Sequence, residues 1–225
     1  MPIVEARAVS VAFGEVSVLR EASLTVAAGE IVAVSGVNGC GKSTLLRCVS
    51  GLLRPSGGEV RVLGAAPTGT PAFWRDVALV AEEPAWYPGL TVREHLELVP
   101  LTHGRDDGRV MSVARALDEF ELAGRADATP LTLSSGQRQR LALASVLVRP
   151  SRLLLLDEPE QKLDAAFRAR LAALLRAYAQ TGGTIVLATH DAALAAGAGA
   201  RVLPMRDGRL SGGDPHPAAA AASAS

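Results

Sequence analysis

The stretch Gly36-Val37-Asn38-Gly39-Cys40-Gly41-Lys42-Ser43-Thr44 limits what this chain can fold into more than any other. It follows the β-branched run Ile31-Val32-Ala33-Val34 and leads into Leu45-Leu46-Arg47-Cys48-Val49. The spacing G-x-x-x-x-G-K-S is complete from Gly36 to Ser43. A strand, a glycine-rich turn and a helix N-terminus in that order make a phosphate-binding loop. Glycines let the backbone curl so that successive N–H groups point inward at anionic oxygens. The positive end of the following helix dipole adds to their pull. Lys42 supplies a mobile cation for terminal phosphates, and Ser43 a hydroxyl for Mg²⁺. A nucleoside triphosphate is the expected ligand.

A chain of 225 residues accommodates one large α/β domain, or a core with an inserted subdomain. Lys+Arg and Asp+Glu both number 23, so there is no basic excess to suit a nucleic acid partner, and none is expected. No apolar run approaches the ~18 residues of a membrane span. The N-terminal Met1-Pro2-Ile3-Val4-Glu5 lacks a charged-then-apolar signal pattern. Cys40 and Cys48, read as lying on one helix, would stand ~12 Å apart. Disulfide geometry needs Cα atoms within about 7 Å, so a reduced, cytosolic chain is expected.

Along the chain, Ile3 to Val11 and Ser23 to Val26 alternate as strands of an antiparallel edge sheet. Between them Phe13 is a candidate platform for stacking a base. Glu59 to Leu63 and Val77 to Val80 are further strands. Thr91-Val92-Arg93-Glu94 fits a capping box opening a helix through Leu98, and a second helix is expected over Val110 to Phe120. These interrupt a strand-rich pattern, so residues 85–149 are expected to form a helical subdomain inserted in the core. A helix then runs from about Leu131 through Val148, and Pro150 stops it. Leu153-Leu154-Leu155-Leu156 is the run expected of a parallel strand covered on both faces. A helix from Ala165 to Tyr178, a buried strand from Thr184 to Ala188 and a hairpin at Asp207-Gly208 complete the domain by about residue 210. The Gly/Pro/Ala/Ser composition of residues 211–225 predicts a disordered tail.

Asp157 and Glu158 end the leucine strand downstream of the phosphate loop. Asp157 suits Mg²⁺, directly or through water, beside Ser43. Glu158 suits a general base that polarises the attacking water.

At this point the chain resembles the nucleotide-binding subunit of an ATP-binding cassette (ABC) transporter over about Ile3 to Leu210. Gly36 to Thr44 matches the Walker A loop and Leu153 to Glu158 the Walker B strand. Leu133-Ser134-Ser135-Gly136-Gln137 resembles the signature L-S-G-G-Q. His190 falls at the switch histidine, Leu163-Asp164 at the D-loop, and Phe13 at the adenine-stacking aromatic. The resemblance implies the ABC ATPase fold: a P-loop NTPase core with an antiparallel β edge sheet and an inserted helical subdomain. It implies that ATP and Mg²⁺ are bound, and that two such subunits dimerise head to tail around two ATP molecules. Ser134 and the backbone at Ser135 and Gly136 would face the partner's γ-phosphate, while His190 holds this subunit's own beside Glu158. Separate membrane-spanning permease subunits would hold the chain at the inner face of the membrane and move a substrate, with export expected from the compact build. A non-transport ATPase of the family, or a slow ATP-clamping subunit of a heteromeric transporter, stands as the alternative.

Three positions depart from the family pattern. Glu82 stands where the family carries a metal-contacting glutamine, and a carboxylate there is expected to reach Mg²⁺. Ser135 replaces the first signature glycine and is expected to be tolerated if its φ is negative. Glu160-Gln161-Lys162 replaces small residues in a loop expected to cross the dimer interface.

Overall fold

A computed structural model describes residues 2–80, 86–103 and 110–212. Two sheets organise it. Strands β1 (Pro2–Phe13) and β2 (Val16–Ala27) form a long hairpin, and β4 (Gly57–Val62) pairs antiparallel on the other side of β1. The second sheet has six strands in the order β5 (Val77–Val80), β6 (Leu153–Asp157), β7 (Thr184–Thr189), β3 (Ile31–Ser35), β8 (Arg201–Arg206) and β9 (Arg209–Leu210). Its pairings are parallel until β9, which returns antiparallel.

The leucine run shows why β6 is buried on both faces. Leu153 and Leu155 join a core that holds β1, β2 and helix α1 (Lys42–Val49), whereas Leu154 and Leu156 join the opposite core. That second core takes in α3 (Val92–His103), α4 (Val113–Glu119), α5 (Ser135–Leu147), α6 (Ala165–Gln180) and α7 (Ala192–Ala198). A short α2 (Pro71–Asp76) leads into β5. Strands β5 and β6 are neighbours in the sheet, yet α3, α4 and α5 lie between them in the chain.

Local chemistry sets the helix ends. Thr91 and Glu94 make the expected capping box, with Thr91 N–H donating to Glu94 Oε2 (2.7 Å) and Glu94 N–H to Thr91 Oγ1 (3.2 Å). Helix α3 runs on past Leu98 to His103 with Pro100 inside it. Helix α4 starts later than Val110, because Ser112 accepts from the Arg115 N–H and caps it. Helix α5 also starts later than expected, since Pro130–Thr132 is a 3₁₀ turn and Ser134 is the cap. The Asp207-Gly208 hairpin joins β8 to β9, with φ of 48° and 76° at the two turn residues, which suits a tight hairpin turn.

Two expectations need correction here. Cys40 lies in the loop before α1 rather than on the helix; both thiols are buried and unpaired with each other. The strands expected over Ile3 to Val11 and Ser23 to Val26 are longer, so that Phe13 ends β1 opposite Val16 at the tip of the β1–β2 hairpin. Glu82, the position at residue 85 and the tail from residue 213 lie outside the described residues.

Candidate active site

Parallel pairing brings the C-terminal ends of β3, β6 and β7 to one edge of the sheet, the usual place for a ligand in open α/β sheets. The phosphate loop leaves β3 at Ser35 and enters α1 at Lys42. Gly36 is required by contact: a Cβ there would stand 2.4 Å from Met205 O and 2.7 Å from Cys40 Sγ. The loop therefore rests on β8. The β8–β9 turn fixes its far side, with Gly208 N–H donating to Cys40 O (3.1 Å) and Arg20 N–H donating to Gly208 O (2.9 Å). Gly41 is the N-cap of α1, and no side chain caps the helix. Its first N–H groups thus have no side-chain acceptor, which suits an anion. Val37, Asn38 and Gly39 are exposed at the rim, whereas Thr44 is half-buried within α1.

Lys42 is buried, and its Nζ donates to Gly36 O (2.8 Å) and Val37 O (3.1 Å) while standing 3.4 Å from Glu158 Oε1. Ser43 Oγ donates to Asp157 Oδ1 at 2.9 Å. Burial pushes the Asp157 carboxyl above the usual carboxylate range, and the neighbouring Glu158 charge adds to this. The Ser43 hydrogen bond, Arg47 and Lys42 oppose it. A hydroxyl and a carboxylate in contact form a hard oxygen donor pair, and the small number of protein ligands leaves positions for phosphate and water. That set fits Mg²⁺.

Glu158 takes a left-handed φ of 45° while its N–H continues the ladder to Ala188 O (2.9 Å). This bend swings its carboxylate toward Lys42. Glu158 Oε2 accepts from Gln161 Nε2 and lies 3.9 Å from His190 Nδ1. His190, just past β7, is closer to Glu160, at 3.4 Å from Oε1. Lys42, Ser43, Asp157, Glu158 and His190 are thus gathered around one strand edge.

The signature residues are elsewhere. Ser134 Oγ accepts from Gln137 N–H (3.2 Å), and Gln137 Oε1 accepts from Ser134 N–H (3.0 Å), a capping box at the exposed N-terminus of α5. Among the described residues no hydrogen bond joins Ser134, Ser135, Gly136 or Gln137 to the phosphate loop. Ser135 is the first helical residue and is not among the residues with positive φ, so the backbone condition set for a serine there is met. Phe13 is 54% exposed at the tip of β1, so a core role is excluded. Asp164 caps α6 through Phe167 N–H (2.8 Å) and is paired with Arg140 (2.9 Å).

The sequence reading missed two contributions. Met205 and Gly208 support the phosphate loop, and the only signal was the Asp-Gly turn itself. Glu160 was expected on a loop crossing a dimer interface; within this chain it is buried at 3% exposure against Thr189 and His190. The left-handed residues Glu158 and Lys162 (φ 63°) flanking this segment turn it inward.

Comparisons with known proteins agree with this geometry. The family model described as ABC transporter matches residues 19–161. An ABC transporter ATP-binding protein of Streptomyces avermitilis is 44% identical over 93% of this chain and 37% of its own length. The aliphatic sulfonates import ATP-binding protein of Pseudomonas fluorescens is 41% identical over 88% of this chain and 71% of that protein. The spermidine/putrescine import ATP-binding protein of Pseudomonas aeruginosa is 36% identical over 93% of this chain and 58% of that protein. A solved ATP binding subunit of an ABC transporter superposes with a TM-score of 0.80 at 28% identity, covering 92% of this chain and 88% of that one. The chain thus spans between 37% and 71% of the length of these relatives. Where their names state a direction it is import, so the expectation of export finds no support. With the family model matching residues 19–161 and a solved ATP binding subunit of an ABC transporter superposing over 92% of the chain, the chain belongs to the ABC transporter family and has the ABC ATPase fold.

Proposed function

We propose that this chain is an ATP-hydrolysing subunit that powers import of a small solute through separate membrane-spanning partners. One observation carries the reading: Lys42, Ser43, Asp157, Glu158 and His190 converge at the ends of three adjacent parallel strands. On this reading Gly36 to Thr44 enclose the triphosphate, and Lys42 exchanges the carbonyls of Gly36 and Val37 for phosphate oxygens. Ser43 and Asp157 hold Mg²⁺, which neutralises phosphate charge when bound; Glu82 is proposed as a further contact on sequence grounds. Glu158 accepts a proton from water as its oxygen bonds to the γ-phosphorus and the bond to the ADP oxygen breaks, giving ADP and phosphate. His190 holds the γ-phosphate and orients the water. Phe13 stacks on the base.

The exposed capping box at Ser134–Gln137 has no partner at this chain's own phosphate loop. It is proposed to meet the nucleotide of a second ABC ATPase subunit, head to tail. Residues 85–149 are proposed to act as a helical subdomain within a single ATPase domain over 1–210. No helix among the described residues is long and apolar enough to cross a membrane, so attachment to the membrane through permease partners is proposed. A groove of about 400 Å³ between β5, α3 and α5, with Trp86, Tyr87 and Val99 beside His95, His103 and Arg149, is proposed as the seat for such a partner. The import direction rests on the relatives named for sulfonate and polyamine import.

The test pairs two substitutions in ATP-binding and turnover assays with Mg²⁺. Lys42→Ala removes a charged hydrogen-bond donor worth about 1.5–3 kcal/mol, so ATP affinity falls about 10- to 100-fold. Glu158→Gln retains binding but cuts turnover about 10²-fold or more, and leaves an ATP-bound dimer visible by gel filtration. Parental hydrolysis by Glu158→Gln would remove Glu158 from its role as base.

A further inference from the structure

We infer that Glu160 is a positioning residue for His190: it is a second carboxylate, additional to Glu158, that fixes which ring nitrogen carries the proton. The inference rests on the proposed role of His190 in hydrolysis. Four observations support it. Glu160 is buried at 3% exposure, where a carboxylate is not expected without a partner. One oxygen, Oε1, accepts from Thr189 Oγ1 and from the backbone N–H of His190 (3.2 Å). The same oxygen is 3.4 Å from His190 Nδ1, whereas the nearest Glu158 oxygen is 3.9 Å from it. The other oxygen, Oε2, is buried with no hydrogen-bond partner among the described residues.

The last point separates a positioning role from a packing role. Glu160 Oε1 ties the end of β7 to the preceding loop through Thr189 Oγ1 and the His190 N–H, a task that a neutral acceptor can perform. A buried carboxylate left half-satisfied costs stability, so the charge itself calls for a further use. Glu160 is a good acceptor for an imidazole N–H. A carboxylate oxygen 3.4 Å from Nδ1 accepts only, so it favours a proton on Nδ1 and leaves Nε2 for the nucleotide. There Nε2 accepts from the attacking water, or donates to a phosphate oxygen once it too is protonated. Partners of this kind orient metal-bound histidines by the same rule, and their loss typically costs 10- to 100-fold.

The neighbouring residues keep the two carboxylates distinct. Gln161 donates to Glu158 Oε2, and Lys42 stands at 3.4 Å from Glu158 Oε1, so Glu158 is held toward the phosphate loop. Gln139, itself buried, donates to Pro159 O (3.2 Å) and pins the backbone between Glu158 and Glu160. Glu160 then takes over the histidine, and Glu158 stays available for water.

The experiment uses the full chain with ¹⁵N-labelled histidine, and reads side-chain long-range ¹H–¹⁵N spectra at pH 8.5 alongside steady-state ATPase kinetics. His190→Ala assigns the resonance among the four histidines. The parent should carry its proton on Nδ1. Glu160→Met, which keeps the length and removes the acceptor, should shift the proton to Nε2 and lower kcat about tenfold or more with KM for ATP unchanged. Glu160→Gln keeps an oxygen acceptor in place and should retain the Nδ1 proton and most of the activity. A parent protonated at Nε2 alone, or a Glu160→Met protein with the parental tautomer, overturns the inference. If His190→Ala instead hydrolyses ATP at the parental rate, the role of His190 fails while the tautomer readout still judges Glu160.

Discussion

The turn that supports the phosphate loop gives a quantitative test. Gly208→Ala places a Cβ 2.2 Å from Val18 O and 2.9 Å from Val18 C, both backbone atoms that have no rotamer to yield. The residue also has φ 76°, and forcing an L side chain into the left-handed region costs roughly 1–2 kcal/mol. Overpacking of this kind costs about 1–3 kcal/mol. If the turn lifts to relieve the clash, it stretches the bonds from Gly208 N–H to Cys40 O and from Arg20 N–H to Gly208 O. A total loss of about 3 kcal/mol is expected, which for a chain of this size lowers Tm by about 6–12 °C. Gly14→Ala is the control. Its φ is 60°, but nothing lies within 4 Å of the added Cβ, so it carries the conformational cost alone. Circular dichroism melts of the three proteins, with and without MgATP, separate the two contributions. Gly208→Ala should melt well below Gly14→Ala, and it alone should show weakened ATP binding. Equal melting temperatures for the two variants would refute the claim that the hairpin tip is wedged against β2 and the phosphate loop.

Two further outcomes follow from the site. Because burial raises the Asp157 carboxyl, the folded chain binds more protons than the unfolded one between the ordinary carboxylate range and the raised value. Stability from this group therefore falls as pH rises through that window, and Asp157→Asn removes that fall. In ligand-free melts from pH 4 to 7 Asp157→Asn should lose less stability than the parent, while MgATP no longer raises its Tm as it does the parent's; a steeper loss would reverse the assigned sign. Phe13→Ala, at a position 54% exposed, should leave Tm within about a degree and weaken ATP binding about fivefold, the value of about 1 kcal/mol of ring stacking, as read by calorimetry; unchanged affinity would remove Phe13 from the base site.

The parts of the fold and site that were legible in the sequence are those encoded by local patterns. Gly36 to Ser43, the four leucines of β6 and the Thr91–Glu94 box each declare themselves within a few residues, because turn geometry, burial on two faces and capping are short-range requirements. The β1–β2 hairpin was only half legible. Left-handed residues at Ala8 (φ 47°) and Glu21 (φ 51°) shift the register, and a shifted register breaks the alternation that marks a strand. Glu160 was legible as unusual but not as inward-facing, since its direction depends on the left-handed bends at Glu158 and Lys162, residue types that do not advertise positive φ. The support from Met205 and Gly208 is long-range: these residues follow the loop they hold by more than 160 positions.

That separation bears on how the chain is made. The phosphate loop is translated before β7 and β8, which flank β3, and before the turn that fastens Cys40. At 5–20 residues per second, about 8–33 s pass between translation of Ser43 and of Gly208. Throughout that interval the nascent chain has the residues that grip a triphosphate but no floor to hold them in shape. Nucleotide therefore cannot guide its early folding. ATP becomes a stabilising ligand only once the β8–β9 turn is available to fasten the loop.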